Sequence, residues 1–190
     1  MHKISKIFHF FNLLLLLLLA KVLCAENNVT VHSENTANFK ELFSKQLLKQ
    51  PYMAKNIALL QKNGKEIYFY NIAKDKFIIL NFFATWIPEC RYQLRSLNEL
   101  QEKLTRMDNN QIKIINVIQE FDKTVEYFAQ EKIKLDFYID TNGLFMKSFG
   151  INMPSAVVIL NKNKEVLGKY INSYNWNEAS ILQFIQELSQ

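Results

Sequence analysis

The sequence predicts an α/β domain with a central mixed sheet and helices on both faces of that sheet. Two segments, Phe77–Phe83 and Ile112–Ile118, are almost unbroken apolar runs of strand length. Such runs are typical of strands that are buried on both faces. Apolar residues recur at helical spacing between and after these runs, and two tight-turn hairpins flank them. Alternating strands and helices of this kind indicate a sheet that is covered on both sides.

The first predicted elements are an N-terminal helix and a hairpin. Thr36 or Asn35 is the candidate N-cap, and Pro51 ends the helix because proline cannot continue it. The apolar positions of this helix are Phe39, Leu42, Phe43, Leu47 and Leu48. Two short apolar runs, 57–60 and 67–70, then flank Asn63-Gly64, a pair that tolerates the positive φ angles of a tight hairpin turn.

The central strand at 77–83 is followed by a helix that opens at Pro88, a favourable residue for the first helical position. The core-facing positions of this helix are Cys90, Leu94, Leu97, Leu100 and Leu104. The second buried strand covers 112–118 and is followed by a helix over 121–130 and a short strand over 137–139.

The C-terminal part is predicted to hold a short helix at 144–149, a second hairpin and a closing helix. The hairpin joins 156–160 to 165–170 through Asn161-Lys-Asn-Lys164. The last helix is predicted to be capped near Asn175, with Glu178 three residues further on as in a capping box.

Residues 1–25 have the pattern of a secretory signal peptide. Lys3 and Lys6 supply its positive start, and Leu13–Ala20 form its apolar centre. The alternative is an uncleaved anchor over residues 7–24, which would associate the protein with the inner membrane. Either segment delivers the domain across a membrane, so we expect a periplasmic or cell-envelope location. Residues 26–35 are a polar linker, and residues 36–190 form the domain with its N-terminal helix.

Charge and composition argue against several classes of function. The net charge of +5 includes three lysines before residue 25, and without them 20 basic side chains face 18 acidic ones. We find no stripe of basic residues that could neutralise the phosphates of a nucleic acid, so we do not expect a nucleic-acid partner. With 4 glycines, a glycine-rich phosphate loop is not expected. The three histidines (His2, His9 and His32) lie outside the predicted core, so we predict no metal site and no cofactor.

The segment from Phe77 to Arg91 carries the most informative motif. The matching residues are Asn81, Phe82, Ala84, Thr85, Trp86, Pro88, Cys90 and Arg91. With Met153-Pro154 downstream, this pattern resembles the thioredoxin superfamily, most closely the exported TlpA/ResA-type thiol–disulfide oxidoreductases. The resemblance covers the chain from about residue 56 to the C-terminus and implies a thioredoxin-like fold.

The departures from the family pattern fall on the chemistry. Ile87 stands where the family has its attacking cysteine, and isoleucine can neither ionise nor bond to sulfur. Cys90 matches the second, resolving cysteine and is the one cysteine of the domain, so a dithiol cycle is not available to this chain. Gln93 and Arg95 replace residues that are often Glu and Pro, and the segment 150–154 is one residue short.

The resemblance also implies a binding site. In the family, the proline matched by Pro154 follows a cis peptide bond, and the residue before it pairs its backbone with an extended peptide. We therefore expect a cis Met153–Pro154 bond and a peptide groove formed by Trp86, Ile87, Pro88, Met153 and Pro154.

Two interpretations of Cys90 lead to two functional hypotheses. Cys90 is either a small buried core residue or a catalytic monothiol that forms mixed disulfides. If Cys90 is a buried core residue, the protein is a binding or assembly module for extended segments of exported proteins. The resemblance points to cytochrome c apoproteins or oxidase subunits as clients. If Cys90 is a catalytic monothiol, the protein is a disulfide-exchange oxidoreductase acting through Cys90 alone.

Overall fold

The described part of the chain folds around one eight-stranded mixed sheet. This computed structural model describes residue 41 and residues 44–171 and 173–189. The predicted signal or anchor (1–25), the linker (26–35) and most of the predicted N-terminal helix lie outside those residues. None of the helices in the described ranges combines the length and the apolar character needed to cross a bilayer.

The described residues form eight strands, four α-helices and a 3-10 turn at Phe69–Asn71. The strands are β1 (Leu47–Met53), β2 (Ala58–Leu60), β3 (Glu66–Tyr68), β4 (Phe77–Phe82), β5 (Ile112–Ile118), β6 (Asp136–Ile139), β7 (Ala156–Leu160) and β8 (Glu165–Ile171). The helices are α1 (Pro88–Arg106), α2 (Phe121–Gln130), α3 (Leu144–Ser148) and α4 (Ala179–Leu188). Both predicted hairpins, β2–β3 and β7–β8, are confirmed.

The strand order is β1-β8-β7-β4-β5-β6-β2-β3. β4, β5 and β6 run parallel to one another, whereas β7 lies antiparallel to β4 on its other side. The carboxyl ends of the three parallel strands therefore share one edge of the sheet with the amino end of β7. The loops at this edge hold the residues predicted to form the site.

Alternate residues of β4 face two different layers of helices, because successive side chains of a strand point to opposite faces. Phe82 packs with Phe145 and Phe149 around α3 on one face. Asn81 and Phe83 point to the other face, where they meet α1 and α2. The prediction of a mixed sheet covered by helices on both faces is thus confirmed.

The prediction that the N-terminal helix runs to Pro51 is wrong. Leu47 and Leu48 begin β1, an edge strand that pairs antiparallel with β8, with Leu47 opposite Gly168. Pro51 lies inside this strand, where the ladder is irregular between Leu47 and Tyr52. An edge strand tolerates proline because one side of its backbone needs no partner strand.

The closing helix also begins later than predicted. Asn175 and Glu178 do interact, through Asn175 Nδ2 donating to Glu178 Oε1 at 3.0 Å. However, Asn175 Oδ1 accepts the backbone N–H of Asn177, and α4 starts only at Ala179. Between them, Trp176 is fully buried and its backbone N–H donates to Ser96 Oγ at 3.1 Å. This anchoring against α1 delays the start of the helix.

Candidate functional site

The motif residues lie where β4 ends and α1 begins. Ile87 is the N-cap of α1, with an extended backbone and no side-chain hydrogen bond to the helix, and Pro88 is the first helical residue. The side chain of Ile87 is only 9% exposed, whereas Trp86 next to it is 59% exposed. The position that the resemblance assigns to a reactive thiol is therefore filled by a packed apolar side chain.

Cys90 lies one turn into α1 and is completely buried. Its Sγ is 4.0 Å from the carbonyl oxygen of Phe82. Burial raises the pKa of the Cys90 thiol, and the nearby polar groups of Ala84 and Ser155 oppose that rise only in part. A buried thiol with a raised pKa has little thiolate at neutral pH, so these features favour the structural interpretation of Cys90.

Met153 and Pro154 lie across from Ile87, but their peptide bond is not cis as predicted. The described residues contain no cis peptide bond. The chain instead turns at Ser155, which has a φ of 79° and whose N–H donates to the Phe82 carbonyl at 3.0 Å. The chain therefore contacts the end of β4 through a residue with a left-handed backbone conformation.

Met153 itself is 66% exposed. Neither its backbone N–H nor its carbonyl has a hydrogen-bond partner within the described ranges. Free backbone groups next to an open groove are what an added extended strand requires.

The groove between these two segments has a volume of about 630 Å³. Its lining is mainly apolar, and the side chains that bear on function are Ile87, Glu89, Ile151, Met153, Pro154 and Ile171. Three of the five predicted binding residues, Ile87, Met153 and Pro154, thus meet in one groove. Trp86 is exposed beside it, and Pro88 starts the helix that forms its wall.

Sequence reasoning missed Glu89, Ile151, Ser155 and Ile171 as groove residues. Glu89 lies inside the motif, two residues after Ile87, so the motif itself could have indicated it as a groove residue. Ser155 and Ile171 reach the groove only because β7 begins, and β8 ends, at the edge of the sheet where β4 ends. No local pattern in the sequence reveals that proximity.

A second groove, of about 730 Å³, lies at the opposite edge of the sheet and contains no predicted site residue. Its lining is rich in amides, but Asn109 and Asn161 use their side-chain oxygens in turns of their own loops. In the described ranges, no three His, Cys, Asp or Glu side chains are grouped so that they would hold a metal ion.

Behind the groove, a chain of buried hydrogen bonds links the sheet to α1 and to Trp176. Asn81 Nδ2 donates to Asn116 Oδ1 at 2.8 Å, and Gln93 Nε2 donates to Asn81 Oδ1 at 2.9 Å. The side-chain oxygen of Gln93, Oε1, accepts a hydrogen bond from the Trp176 indole N–H at 3.3 Å. Because both ends of the Gln93 amide are used, the network needs an uncharged donor and acceptor at this position.

The chain is similar in sequence to known oxidoreductases. The sequence model of the Redoxin family matches residues 49–184. Thiol-disulfide oxidoreductase ResA of Bacillus thuringiensis subsp. konkukian (strain 97-27) is 27% identical over 116 residues, which cover 60% of this chain and 65% of that protein. ResA of Bacillus anthracis is 25% identical over 117 residues, covering 62% of this chain and 54% of its own length. The chain therefore spans less than two thirds of these relatives.

Solved structures show the same fold at lower identity. A thiol:disulfide interchange protein DsbE from Chlorobium tepidum superposes with a TM-score of 0.62 at 20% identity, over 74% of this chain and 97% of its own. StoA from Bacillus subtilis superposes with a TM-score of 0.54 at 21% identity, over 68% and 98% of the two chains.

Proposed function

The chain belongs to the Redoxin family, as a ResA-like member of the thioredoxin superfamily, and on that premise we propose that it binds extended peptide segments without redox turnover. The observation that carries the proposal is the groove itself. It has an apolar lining and the free backbone groups of Met153, and Ile87 occupies the position that the resemblance assigns to the attacking thiol.

The free N–H and carbonyl of Met153 support recognition through the backbone. An extended segment that pairs with them adds a short strand, and this interaction does not depend on a thiol. Apolar side chains of the segment would then contact Ile87, Ile151 and Ile171. Trp86 offers an exposed aromatic surface at the margin of the groove.

The alternative, a monothiol oxidoreductase acting through Cys90, is less well supported. Thiol–disulfide exchange requires a thiolate that can reach the partner's sulfur. Cys90 is completely buried and burial raises its pKa, so both requirements fail in the described conformation.

The partners that we propose are extended segments of exported or envelope proteins, with apoproteins of the cytochrome or oxidase type as candidates. This part of the proposal depends on the resemblance to TlpA/ResA-type proteins and on the signal-like residues 1–25. We accordingly propose a periplasmic or envelope location.

Binding of short fluorescein-labelled peptides, measured by fluorescence anisotropy with the full chain in a mild non-ionic detergent, tests the function. We expect Trp86→Ala to weaken binding by about 5- to 30-fold, since truncating an aromatic anchor typically costs 1–2 kcal/mol. Tyr68→Ala is the matched control, because Tyr68 is an exposed aromatic residue on β3, outside the groove. Equal loss of affinity in both variants would contradict the proposed site.

Substitution of Cys90 separates the two functions. A binding module keeps its affinity for cysteine-free peptides in Cys90→Ala, and a Cys24→Ser chain forms no mixed disulfide with a peptide whose cysteine is supplied as its disulfide with glutathione. A monothiol enzyme would attack that disulfide through its Cys90 thiolate, release glutathione and keep the peptide as a mass increase under non-reducing conditions, and this product would be lost in Cys90→Ala.

A further inference from the structure

Glu89 is the one charged side chain among the residues that line the groove. It is exposed in the first turn of α1, two residues after Ile87. Within the described ranges it has no hydrogen-bond or ion-pair partner. The groove therefore presents an apolar surface with one carboxylate at its wall that is in no ion pair within the described residues.

A basic residue near the groove, Lys169, does not form an ion pair with Glu89. The Lys169 ammonium approaches Gly150, within 3.9 Å of the position that a Cβ would occupy there. However, that ammonium donates to the Phe149 carbonyl at 3.1 Å, and Lys169 is not among the residues that line the groove. The ammonium therefore makes its hydrogen bond to a backbone oxygen and not to the Glu89 carboxylate.

We propose that the groove selects extended segments in which a lysine or arginine lies beside an apolar side chain. The apolar side chain occupies the space between Ile87 and Met153, and the neighbouring cation pairs with the Glu89 carboxylate. This inference rests on the proposed peptide-binding function and adds to it the charge of the preferred client.

Glu89 also has a structural role that must be separated from recognition. A carboxylate in the first turn of a helix interacts favourably with the helix dipole, so its removal lowers stability slightly. That contribution is the same for every peptide. A preference between peptides that differ only in charge is not explained by the helix dipole.

The experiment measures the affinity of the full chain, in a mild non-ionic detergent, for three fluorescein-labelled peptides. The peptides share one extended sequence with a central leucine and carry Lys, Gln or Glu at the adjacent position. We expect the Lys peptide to bind about three- to tenfold more tightly than the Glu peptide at low salt, as for exposed charge pairs. The ratio should approach one near 0.5 M salt, where exposed charges are screened.

Two variants assign this preference to Glu89. Glu89→Gln should bring the Lys and Glu peptides to within about twofold of each other, and Glu89→Lys should reverse their order. Glu66→Gln on β3 makes the same change in net charge outside the groove and should leave the preference intact. Thermal unfolding of each variant checks that the fold is retained.

The outcomes distinguish this inference from the proposed function. If all three peptides bind with equal affinity, or if the preference persists in Glu89→Gln, the charge selection is wrong while peptide binding stands. If none of the peptides binds, both are wrong.

Discussion

Gln93→Glu replaces one buried amide nitrogen by oxygen, and it should make the stability of the protein strongly dependent on pH. Gln93 is fully buried, and its Nε2 donates to Asn81 Oδ1 at 2.9 Å. An ionised carboxylate has no proton to donate and would face the Asn81 oxygen with a second acceptor. A protonated carboxyl keeps the donor, so the folded state favours the protonated form and raises the pKa of the introduced group.

The magnitude follows from that pKa. Burial raises carboxyl pKa values by up to 3–5 units, and we take about 3 because the Trp176 indole N–H still donates to this side chain. The introduced carboxyl would then titrate near pH 7 in the folded state and near 4.3 in the unfolded state. Between these values the folded state binds more protons, so stability falls as pH rises. The loss is about 1.4 kcal/mol per unit, or roughly 4 kcal/mol in total.

Urea unfolding of the full chain at about pH 4.5, 6 and 8 measures this dependence. We expect the variant to approach the wild-type stability at the lowest pH and to lose roughly 4 kcal/mol relative to it at the highest. Gln93→Met is the control, because it removes the hydrogen bonds without a titratable group and should cost about 1–3 kcal/mol at every pH. A Gln93→Glu penalty that does not change with pH would refute the buried network as described.

Three further predictions concern thiols and a buried lysine. In a Cys24→Ser chain at neutral pH, a soluble thiol reagent should modify Cys90 at least 1,000-fold more slowly in the native than in the denatured state, since access requires unfolding that costs about 5 kcal/mol or more. A ratio of the two modification rates under tenfold contradicts the burial of Cys90. Ile87→Cys should form a disulfide with Cys90, because residues three apart on a helix have Cα atoms about 5 Å apart. This variant should gain reductase activity toward insulin, whereas Ile87→Ser should gain none. Lys164 donates to the carbonyl of Ala73 at 3.1 Å, and burial lowers its pKa. Between that lowered pKa and about 10.4 the unfolded state binds more protons than the folded state, so the stability of the wild type relative to Lys164→Met should rise with pH. A stability difference in urea unfolding that does not change with pH contradicts this.

Most of the architecture was predictable because strong local patterns coincide with the elements. The buried strands β4 and β5 are unbroken apolar runs, and a helix opened by Pro88 has a regular apolar stripe. The failures lie where local pattern and tertiary contact disagree. Leu47 and Leu48 fit a helical spacing, yet pairing with β8 makes them strand residues.

The site was only partly predictable for a related reason. Ile87 and Met153-Pro154 were identified from a motif and do line one groove. Ile171 joins that groove through the order of strands β8, β7 and β4, and this order cannot be read from a local segment. The role of Gln93 depends on Asn81, Asn116 and Trp176, which are distant in sequence and whose side-chain directions follow from packing.

The isoleucine at position 87 also affects how a client would be released. A dithiol protein can hold its client through a covalent bond and let it go when an electron donor arrives, so the redox balance of the compartment controls the duration of each encounter. The groove of this chain offers no thiol for such an exchange, because the domain's one cysteine is enclosed by the core. Occupancy is then governed by client concentration and the dissociation constant, and the protein would bind unfolded chains whether its surroundings are oxidising or reducing.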